Sequence, residues 1–414
     1  MSTATDSIAA SERLHGLDAV RGYALLLGVV FHATMSFLPG PHQVWPVRDV
    51  ASSDLLAVVF FVSHTFRMTT FFLIAGFFGH LMVERRGVKG FIKDRLKRIA
   101  LPLVVGWPLL FAAIIAASVY GVWTATGHVP TKPPPTPPNL PPLHFPLTHL
   151  WFLYVLLWLY AGTLVGRAIA ARIDPRGKVA ALADGVTRFV VGAPAGFLLP
   201  AITAALALNA FGPWLLWFGV PTPDNSLIPN LPAAVEFALA FGLGWLLHRQ
   251  TELLSALRRN WAGYLGVGVV AIGGCLAWIG LQPVVTPQPP GFEKLAYAVG
   301  YAVGAWSLTF AAIGLALRFL SDHSPVRRYI ADSSYWIYLI HLPLIMALQA
   351  AVSKAAWPWE VKFAMVLGVG FTLMFASYHL FVRRTLIGAI LNGRRIPRTP
   401  PATPAPATTP EAAR

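Results

Sequence analysis

The chain has 414 residues, of which 56% are hydrophobic and 12% are charged, about half the charged share of an average soluble domain. These fractions and a mean hydropathy of +0.61 exclude a soluble globular enzyme and a disordered chain. They are typical of a polytopic membrane protein. The net charge of +15 would suit nucleic-acid binding, but the basic residues lie between apolar spans, so we expect the lipid bilayer and no nucleic acid as a partner.

Ten helical spans are predicted in chain order, with turn-rich segments between them. They cover residues 17–38, 55–82, 99–123, 147–166, 189–210, 232–247, 261–281, 295–317, 334–352 and 361–382. The first 15 residues contain no short apolar core with a cleavage site, so the first span is expected to be a retained helix. The predicted fold class is all-α, a polytopic membrane protein with about ten transmembrane helices.

The distribution of Lys and Arg predicts the orientation of the chain in the membrane. With the amino terminus in the cytoplasm, the inner segments hold 25 basic residues and the outer loops hold five. Both termini are therefore expected to be cytoplasmic. The predicted organisation is a cytoplasmic segment 1–16, a membrane domain 17–385 and a disordered tail 386–414. A loop rich in proline, 130–146, is predicted to be an extended outer strap.

Cysteine and histidine spacing gives no sign of a metal site. Cys275 is the one cysteine and lies within an apolar span. The sequence has no cysteine cluster and no HExxH pair on a predicted helix. We therefore predict no metal ligands and no internal disulfide.

The first span places ionisable side chains along one face. Arg21 and His32 are eleven residues apart, so they differ in direction by about 20° and lie about 16 Å apart along the helix. Asp18 lies one turn before Arg21 and is expected to pair with it. A phosphate-bearing ligand could bind Arg21 from the cytoplasm and extend to His32. The alternative is an interfacial arginine and a hydrogen-bonded core histidine.

The second span carries His64 and Arg67, one turn apart. Near mid-membrane, Arg67 needs a carboxylate, backbone carbonyls or a wet cavity. Either it forms a fixed ion pair with Glu236 of the sixth span, or it is a functional cation. Gly76 and Gly79 follow on the same span and predict close helix packing.

Later spans carry polar residues at their ends. Arg95 and Arg98 are one turn apart and could together bind a phosphate, although basic residues at this position also follow from topology. His149 opens the fourth span at the outer face and could meet a substrate there. Trp151 suits either that site or an aromatic belt at the membrane interface.

The ninth span has one polar face. Ser334, Tyr338 and His341 lie at positions i, i+4 and i+7. This spacing predicts either a buried hydrogen-bond network or part of a site.

Taken in order, these residues resemble the acyltransferase-3 family of membrane acyltransferases. The resemblance rests on Arg21 and His32 with ten residues between them, on FFLIAG at 71–76 and on RLKR at 95–98. Three further motifs bring it nearest to the branch that succinylates periplasmic glucans, and these are LDAVR at 17–21, HTFRM at 64–68 and THLWFL at 148–153. YLIH at 338–341 is a later match.

The resemblance implies that an acyl group passes from cytoplasmic acyl-CoA to a carbohydrate hydroxyl on the far side of a bacterial inner membrane. Succinyl-CoA or acetyl-CoA would be a co-substrate, with no permanently bound cofactor. His32 would be the catalytic histidine, and Arg21, Arg95 and Arg98 would hold the donor. Seven other residues are expected to support the site or bind substrate, namely Asp18, His64, Arg67, His149, Trp151, Tyr338 and His341. Periplasmic glucan-processing proteins are the expected protein partners.

The expected mechanism follows from the poor nucleophilicity of a sugar hydroxyl. A neutral histidine can remove the proton as the new bond forms, so His32 is the expected general base. Direct transfer and a covalent acyl-histidine both remain open. Tyr338 and His149 are candidates for stabilising the oxyanion, and Arg67 is expected either to bind a succinyl carboxylate or to organise the site.

Two other functions remain open. An O-acetyltransferase acting on lipopolysaccharide, peptidoglycan or a lipid-linked sugar would use the same residues. A transporter or flippase would line its path with Arg67, Glu236 and His341, although the sequence has no matching broken helices in its two halves.

Overall fold

A computed structural model describes residues 2–41, 44–131 and 141–393, with side chains from residue 15 onward in the first helix. This part of the chain is helical and contains no β-strand, only an isolated bridge between His144 and Ser226. Seven helical stretches in it are long and apolar enough to cross a membrane. The all-α fold class is confirmed.

Twelve α-helices are present in the described residues. They are α1 Ser2–Thr34, α2 Asp54–Arg95, α3 Leu101–Thr126, α4 Trp151–Ile173, α5 Lys178–Gly192, α6 Leu198–Ala210, α7 Leu231–Leu247, α8 Leu254–Ile279, α9 Phe292–Phe319, α10 Pro325–Val352, α11 Trp359–Ser377 and α12 Leu386–Asn392.

Polar caps define where several of these helices begin. Ser53 accepts a hydrogen bond from the Leu56 amide at the start of α2, and Asn230 accepts one from the Ala233 amide at the start of α7. Ser324 caps α10 in the same way. Each cap satisfies an amide that has no partner within the helix.

Two of the seven stretches contain a break in the backbone. The stretch Asp54–Thr126 is interrupted at Gly87, whose φ of 66° is accessible to glycine at little cost. The stretch Leu231–Ile279 is interrupted at Gln250. The predicted count of ten crossings and the predicted orientation of the termini remain predictions.

The predicted span 189–210 is not one continuous helix. Helix α5 ends at Gly192, and α6 begins at Leu198 and has 13 residues. The segment between them includes Pro194 and Gly196, and the close approach of Gly196 to the Phe189 carbonyl leaves no room for a side chain. The prediction was wrong here because total hydropathy outweighed these turn residues.

Helix α1 positions the site because it packs against α2, α9, α10 and α11. Helices α2 and α7 approach each other most closely where a Cβ on Gly76 would meet the Phe241 carbonyl and one on Gly244 would meet the Leu73 carbonyl. A Cβ on Gly79 would lie 3.0 Å from the Tyr160 ring. The predicted packing role of Gly76 and Gly79 is confirmed.

The segments outside the membrane helices differ in how much of them is described. Residues 132–140 of the predicted proline strap and residues 394–414 of the predicted tail lie outside the described residues. Residues 386–392, which the sequence analysis assigned to a disordered tail, form α12. Helix α1 begins at Ser2, so the predicted boundary at residue 16 falls within a continuous helix.

Candidate functional site

Most of the predicted site residues line two openings between the helices. A cleft of about 150 Å³, here called the basic cleft, includes Arg21, Arg95, Arg98, Tyr160, Tyr335 and Asn392 in its lining. A cavity of about 620 Å³, here called the histidine cavity, includes His32, His64, Arg67, His149, Trp151, Tyr338 and His341. Loop residues 44–46 and 221–225 contribute to the histidine cavity, which lies nearer the carboxyl end of α1 than the basic cleft does.

The two openings share part of their lining. Leu25, Phe71, Phe152 and Tyr338 line both the basic cleft and the histidine cavity. A ligand in one opening is therefore separated from a ligand in the other by a few side chains. These four residues are here called the partition.

The cations of the basic cleft are held by fixed partners. Arg21 Nη2 lies 2.8 Å from Asp18 Oδ1, so the predicted pairing is present. Asp18 lines neither opening and also lies 3.4 Å from Arg328 Nη1. Asp18 therefore orients Arg21 from outside the cleft.

Asp94 orients Arg95 and Arg98 in the same way. Its carboxylate lies 2.9 Å from Arg95 Nη2 and 3.9 Å from Arg98 Nη1, and it also accepts from Arg86 at 2.9 Å. The Arg95 guanidinium lies over the Tyr160 ring at 5.3 Å. One carboxylate shared among three guanidiniums leaves a net positive charge at the cleft.

The hydrogen bonds around His341 assign the tautomer of His32. His341 Nδ1 lies 2.7 Å from the Tyr338 carbonyl, which can only accept, so Nδ1 carries the proton and Nε2 of the neutral ring accepts. His341 Nε2 lies 3.0 Å from His32 Nδ1, which therefore donates. The Gly28 carbonyl, 2.9 Å from the same His32 nitrogen, is a second acceptor. In the neutral ring, both contacts place the proton on Nδ1 and leave His32 Nε2 unprotonated.

Backbone and ring contacts hold His32 at the cavity wall. Gln349 donates to the His32 carbonyl at 3.0 Å and to the Ala33 carbonyl at 3.0 Å. Trp45 donates to the Gln349 side chain at 2.8 Å and stacks on the His32 ring with centroids 5.8 Å apart. The ring is therefore fixed from both its backbone and its face.

The two predicted oxyanion donors are already engaged. Tyr338 Oη donates to the His149 carbonyl at 2.7 Å, and His149 Nε2 donates to the Leu339 carbonyl at 2.9 Å. Both protons are thus directed at backbone carbonyls of the protein. These bonds join the start of α4 to α10 and give Tyr338 and His149 a positioning role.

Arg67 does not form the ion pair with Glu236 that was one of its two interpretations. The Glu236 carboxylate instead accepts from Thr69 at 2.7 Å and from the Trp306 indole at 3.1 Å. The Arg67 guanidinium lies over the Phe31 ring at 4.7 Å, and its buried Nε has no hydrogen-bond partner among the described residues. The ion-pair interpretation was therefore wrong. The Arg67 guanidinium lines the histidine cavity, although its Nε is itself buried.

Gly28 makes room for that guanidinium. A Cβ at this position would lie 2.6 Å from Arg67 Nη1, closer than real side chains approach. Gly28 therefore serves the cavity twice, through its carbonyl toward His32 and through its missing side chain toward Arg67.

The remaining predicted residues lie among aromatic side chains. His64 stacks on Phe60 with centroids 5.8 Å apart and on Phe31 at 5.3 Å. Trp151 is 7% exposed and stacks on Phe237 at 5.5 Å. Because Trp151 is buried against the cavity, the aromatic-belt interpretation was wrong for it.

Asp224 is a cavity residue that the sequence analysis missed. It lies in the loop between α6 and α7 and lines the histidine cavity. Burial raises the pKa of its carboxyl to about 6. The sequence marked this segment only as a proline-rich turn, and a carboxylate in a turn is normally solvated.

Comparison with known proteins identifies the family. A family model described as an acyltransferase domain, that of the acyltransferase-3 family, matches residues 14–378. The chain belongs to the acyltransferase-3 family. The predicted resemblance is confirmed, and the molecule is a multi-pass membrane acyltransferase.

Curated relatives are similar to this chain over most of its length. Proteins named Glucans biosynthesis protein C from Salmonella typhi and Salmonella typhimurium are 25% identical to it over 388 residues. The match covers 92% of this chain and 95% of each relative. No solved structure shows significant similarity to the chain.

Proposed function

We propose that this acyltransferase moves an acyl group from cytoplasmic acyl-CoA to a hydroxyl of a periplasmic glucan across a bacterial inner membrane. The observation that carries the proposal is the shared lining of the two openings. A donor in the basic cleft and an acceptor in the histidine cavity would meet at Leu25, Phe71, Phe152 and Tyr338. The glucan acceptor rests on the similarity to Glucans biosynthesis protein C.

The basic cleft is the proposed donor site. The phosphates of coenzyme A would accept charge-assisted hydrogen bonds from Arg21, Arg95 and Arg98. Asp18 and Asp94 lie behind these guanidiniums and fix their directions. The acyl thioester would then lie at the partition, where few water molecules can reach it.

His32 is the proposed general base. Its Nε2 would accept the proton of the attacking hydroxyl, because its Nδ1 donates to Gly28 and His341. The hydroxyl oxygen attacks the thioester carbonyl and the carbon–sulfur bond breaks. The proton taken up by His32 then passes to the coenzyme A thiolate, which leaves as the thiol. His341 is a positioning residue, since it acts by fixing the tautomer of His32.

Arg67 is the proposed partner of negative charge in the cavity. Its guanidinium lines the cavity and could donate to the oxyanion of the tetrahedral intermediate or to the carboxylate of a succinyl group. A buried carboxylate needs a cationic partner, and within the described residues the buried lysines Lys294 and Lys362 already bind the Phe211 carbonyl and Asp49. We therefore favour succinyl over acetyl as the transferred group.

The test is transfer by the purified protein. Protein in detergent is incubated with periplasmic glucan and either succinyl-CoA or acetyl-CoA, and mass spectrometry follows the glucan. We expect a succinyl gain, and a kcat about 10²- to 10⁴-fold lower for His32→Gln. The matched control is His128→Gln, which changes an exposed histidine outside both openings.

Each other outcome has a definite meaning. A gain of acetyl alone would contradict the succinyl assignment and favour an O-acetyltransferase of another envelope polysaccharide. Full activity of His32→Gln would refute the general base. If Arg67→Ala lowers succinyl and acetyl transfer equally, Arg67 does not bind the succinyl carboxylate. If coenzyme A fails to protect the protein against thermal unfolding, the basic cleft is not a donor site.

A further inference from the structure

A second group of ionisable side chains lies outside both openings, where α2 meets the end of α7. His80 Nδ1 and His248 Nδ1 are 2.9 Å apart. The Glu84 carboxylate places one oxygen 3.5 Å from His80 Nδ1 and the other 3.6 Å from His248 Nδ1. One nitrogen from each ring and one oxygen of the carboxylate, from two distant parts of the sequence, therefore form a triangle whose sides are all within 4.8 Å.

The size of this triangle matches a metal site. Nitrogen and oxygen ligands bind Zn²⁺ at about 2.0–2.2 Å in tetrahedral geometry, which places neighbouring ligand atoms about 3.3–3.5 Å apart. The Nδ1–Nδ1 separation of 2.9 Å is shorter than that value, and the two oxygen–nitrogen separations of 3.5 and 3.6 Å, each to a different oxygen of Glu84, lie close to it. An ion could therefore enter with small side-chain adjustments and no movement of the helices.

We propose that His80, Glu84 and His248 bind a divalent transition-metal ion with the preferences of zinc. Two imidazole nitrogens and one carboxylate oxygen form a ligand set that suits zinc better than calcium or magnesium, which prefer oxygen. The positive charges of Arg167 and Arg249 act on His80 and oppose a cation held by charge alone. Coordination by imidazole nitrogens, in contrast, does not depend on a high negative charge.

The surroundings hold the ligands in place and leave one side open. The His80 ring lies edge-on to Trp245 at 5.0 Å, and the His248 ring lies edge-on to Phe77 at 4.9 Å. Glu84 is about half exposed, so water can complete the coordination from that side. The bound ion would tie α2 to the His248–Leu253 segment, just before α2 is interrupted at Gly87.

Metal titration of the full-length protein in detergent tests this site. The protein carries a purification tag without histidine, is treated with a chelator, and competes for Zn²⁺ with a chromophoric chelator. We expect one bound ion per chain and a higher Tm when the ion is present. The His80→Ala/His248→Ala variant should bind zinc more than about tenfold more weakly, whereas His128→Ala should bind as the wild type does.

A milder variant separates loss of the ligand from loss of folding. Glu84→Gln leaves both buried rings in place, so its fold should persist while its zinc affinity falls and its zinc-dependent rise in Tm shrinks. Equal zinc binding by the wild type and the double variant would overturn the proposal, as would no binding by the wild type. Neither readout depends on acyl transfer, so the test is independent of the proposed function.

Discussion

Replacing Gly28 by alanine should lower activity without lowering stability. The new Cβ would lie 2.6 Å from Arg67 Nη1 and must reach about 3.4 Å, the near limit of ordinary contact. The guanidinium must therefore move by about 0.8 Å. The far end of an arginine side chain moves at little cost, and alanine stabilises a helix interior by about 0.5–1 kcal/mol relative to glycine.

The effect on catalysis follows from the size of that movement. A displacement of about 1 Å in a catalytic group can cost about 10²-fold in rate. We therefore expect kcat to fall by about 10- to 100-fold in Gly28→Ala. The Gly28 carbonyl still accepts from His32, because the substitution leaves the backbone unchanged. The loss would thus report on the position of Arg67 alone.

The assay measures kcat by the glucan product and Tm by thermal unfolding. The matched control is Gly22→Ala on the same helix, where the added Cβ meets Ala331 at an ordinary 3.4 Å. Both variants should keep or raise Tm, and only Gly28→Ala should lose activity. Unchanged kcat in Gly28→Ala would refute the proposed role of the Arg67 position, and a large drop in Tm would refute the packing argument.

Four further predictions concern pH, a buried ion pair and helix packing. Asp224 lines the histidine cavity, where we expect its carboxylate to accept hydrogen bonds from the glucan. Burial raises its pKa to about 6, so the carboxylate gains a proton as the pH falls below that value. KM for the glucan should therefore rise there, and Asp224→Asn should remove this inflection. The raised pKa also means that the ionised form destabilises the fold above pH 6, so Asp224→Asn should be at least as stable at pH 8 by thermal unfolding. Lys362→Met should lower the free energy of unfolding by about 3–5 kcal/mol. The buried Asp49 carboxylate lies 2.6 Å from Lys362 Nζ and would lose its cation. Adding Asp49→Asn should recover part of the lost stability. Gly244→Ala should prevent folding, since its Cβ would meet the Leu73 carbonyl, and a monodisperse, stable variant on size-exclusion chromatography would contradict the close α2–α7 contact.

Local periodicity predicted several features of the site. Helical spacing alone placed Arg21 and His32 on one face and paired Asp18 with Arg21, and the structure has that pair at 2.8 Å. Small residues predicted the close packing at Gly76 and Gly79. These features depend on the spacing within one helix or on the size of one residue, so they can be predicted from the sequence alone.

Contacts between distant helices could not be predicted in the same way. The partner expected for Arg67, Glu236, binds Thr69 and Trp306 instead, because helix rotation and depth decide which polar groups meet. Asp224 was missed because burial of a turn depends on the loops packed above it. The hydrogen bond between His32 and His341 joins residues 309 positions apart, and no local pattern encodes it.

The partition of Leu25, Phe71, Phe152 and Tyr338 also has an electrical consequence. Two openings that meet at a few side chains concentrate the membrane potential across a thin barrier. One elementary charge moved through the whole potential changes in energy by about 2.3 kcal/mol per 100 mV. In the proposed orientation, a succinyl carboxylate travels outward from a negative interior, so the field gives succinyl transfer an assistance that a neutral acetyl group does not receive. Succinyl transfer in proteoliposomes should therefore quicken when the interior is made more negative.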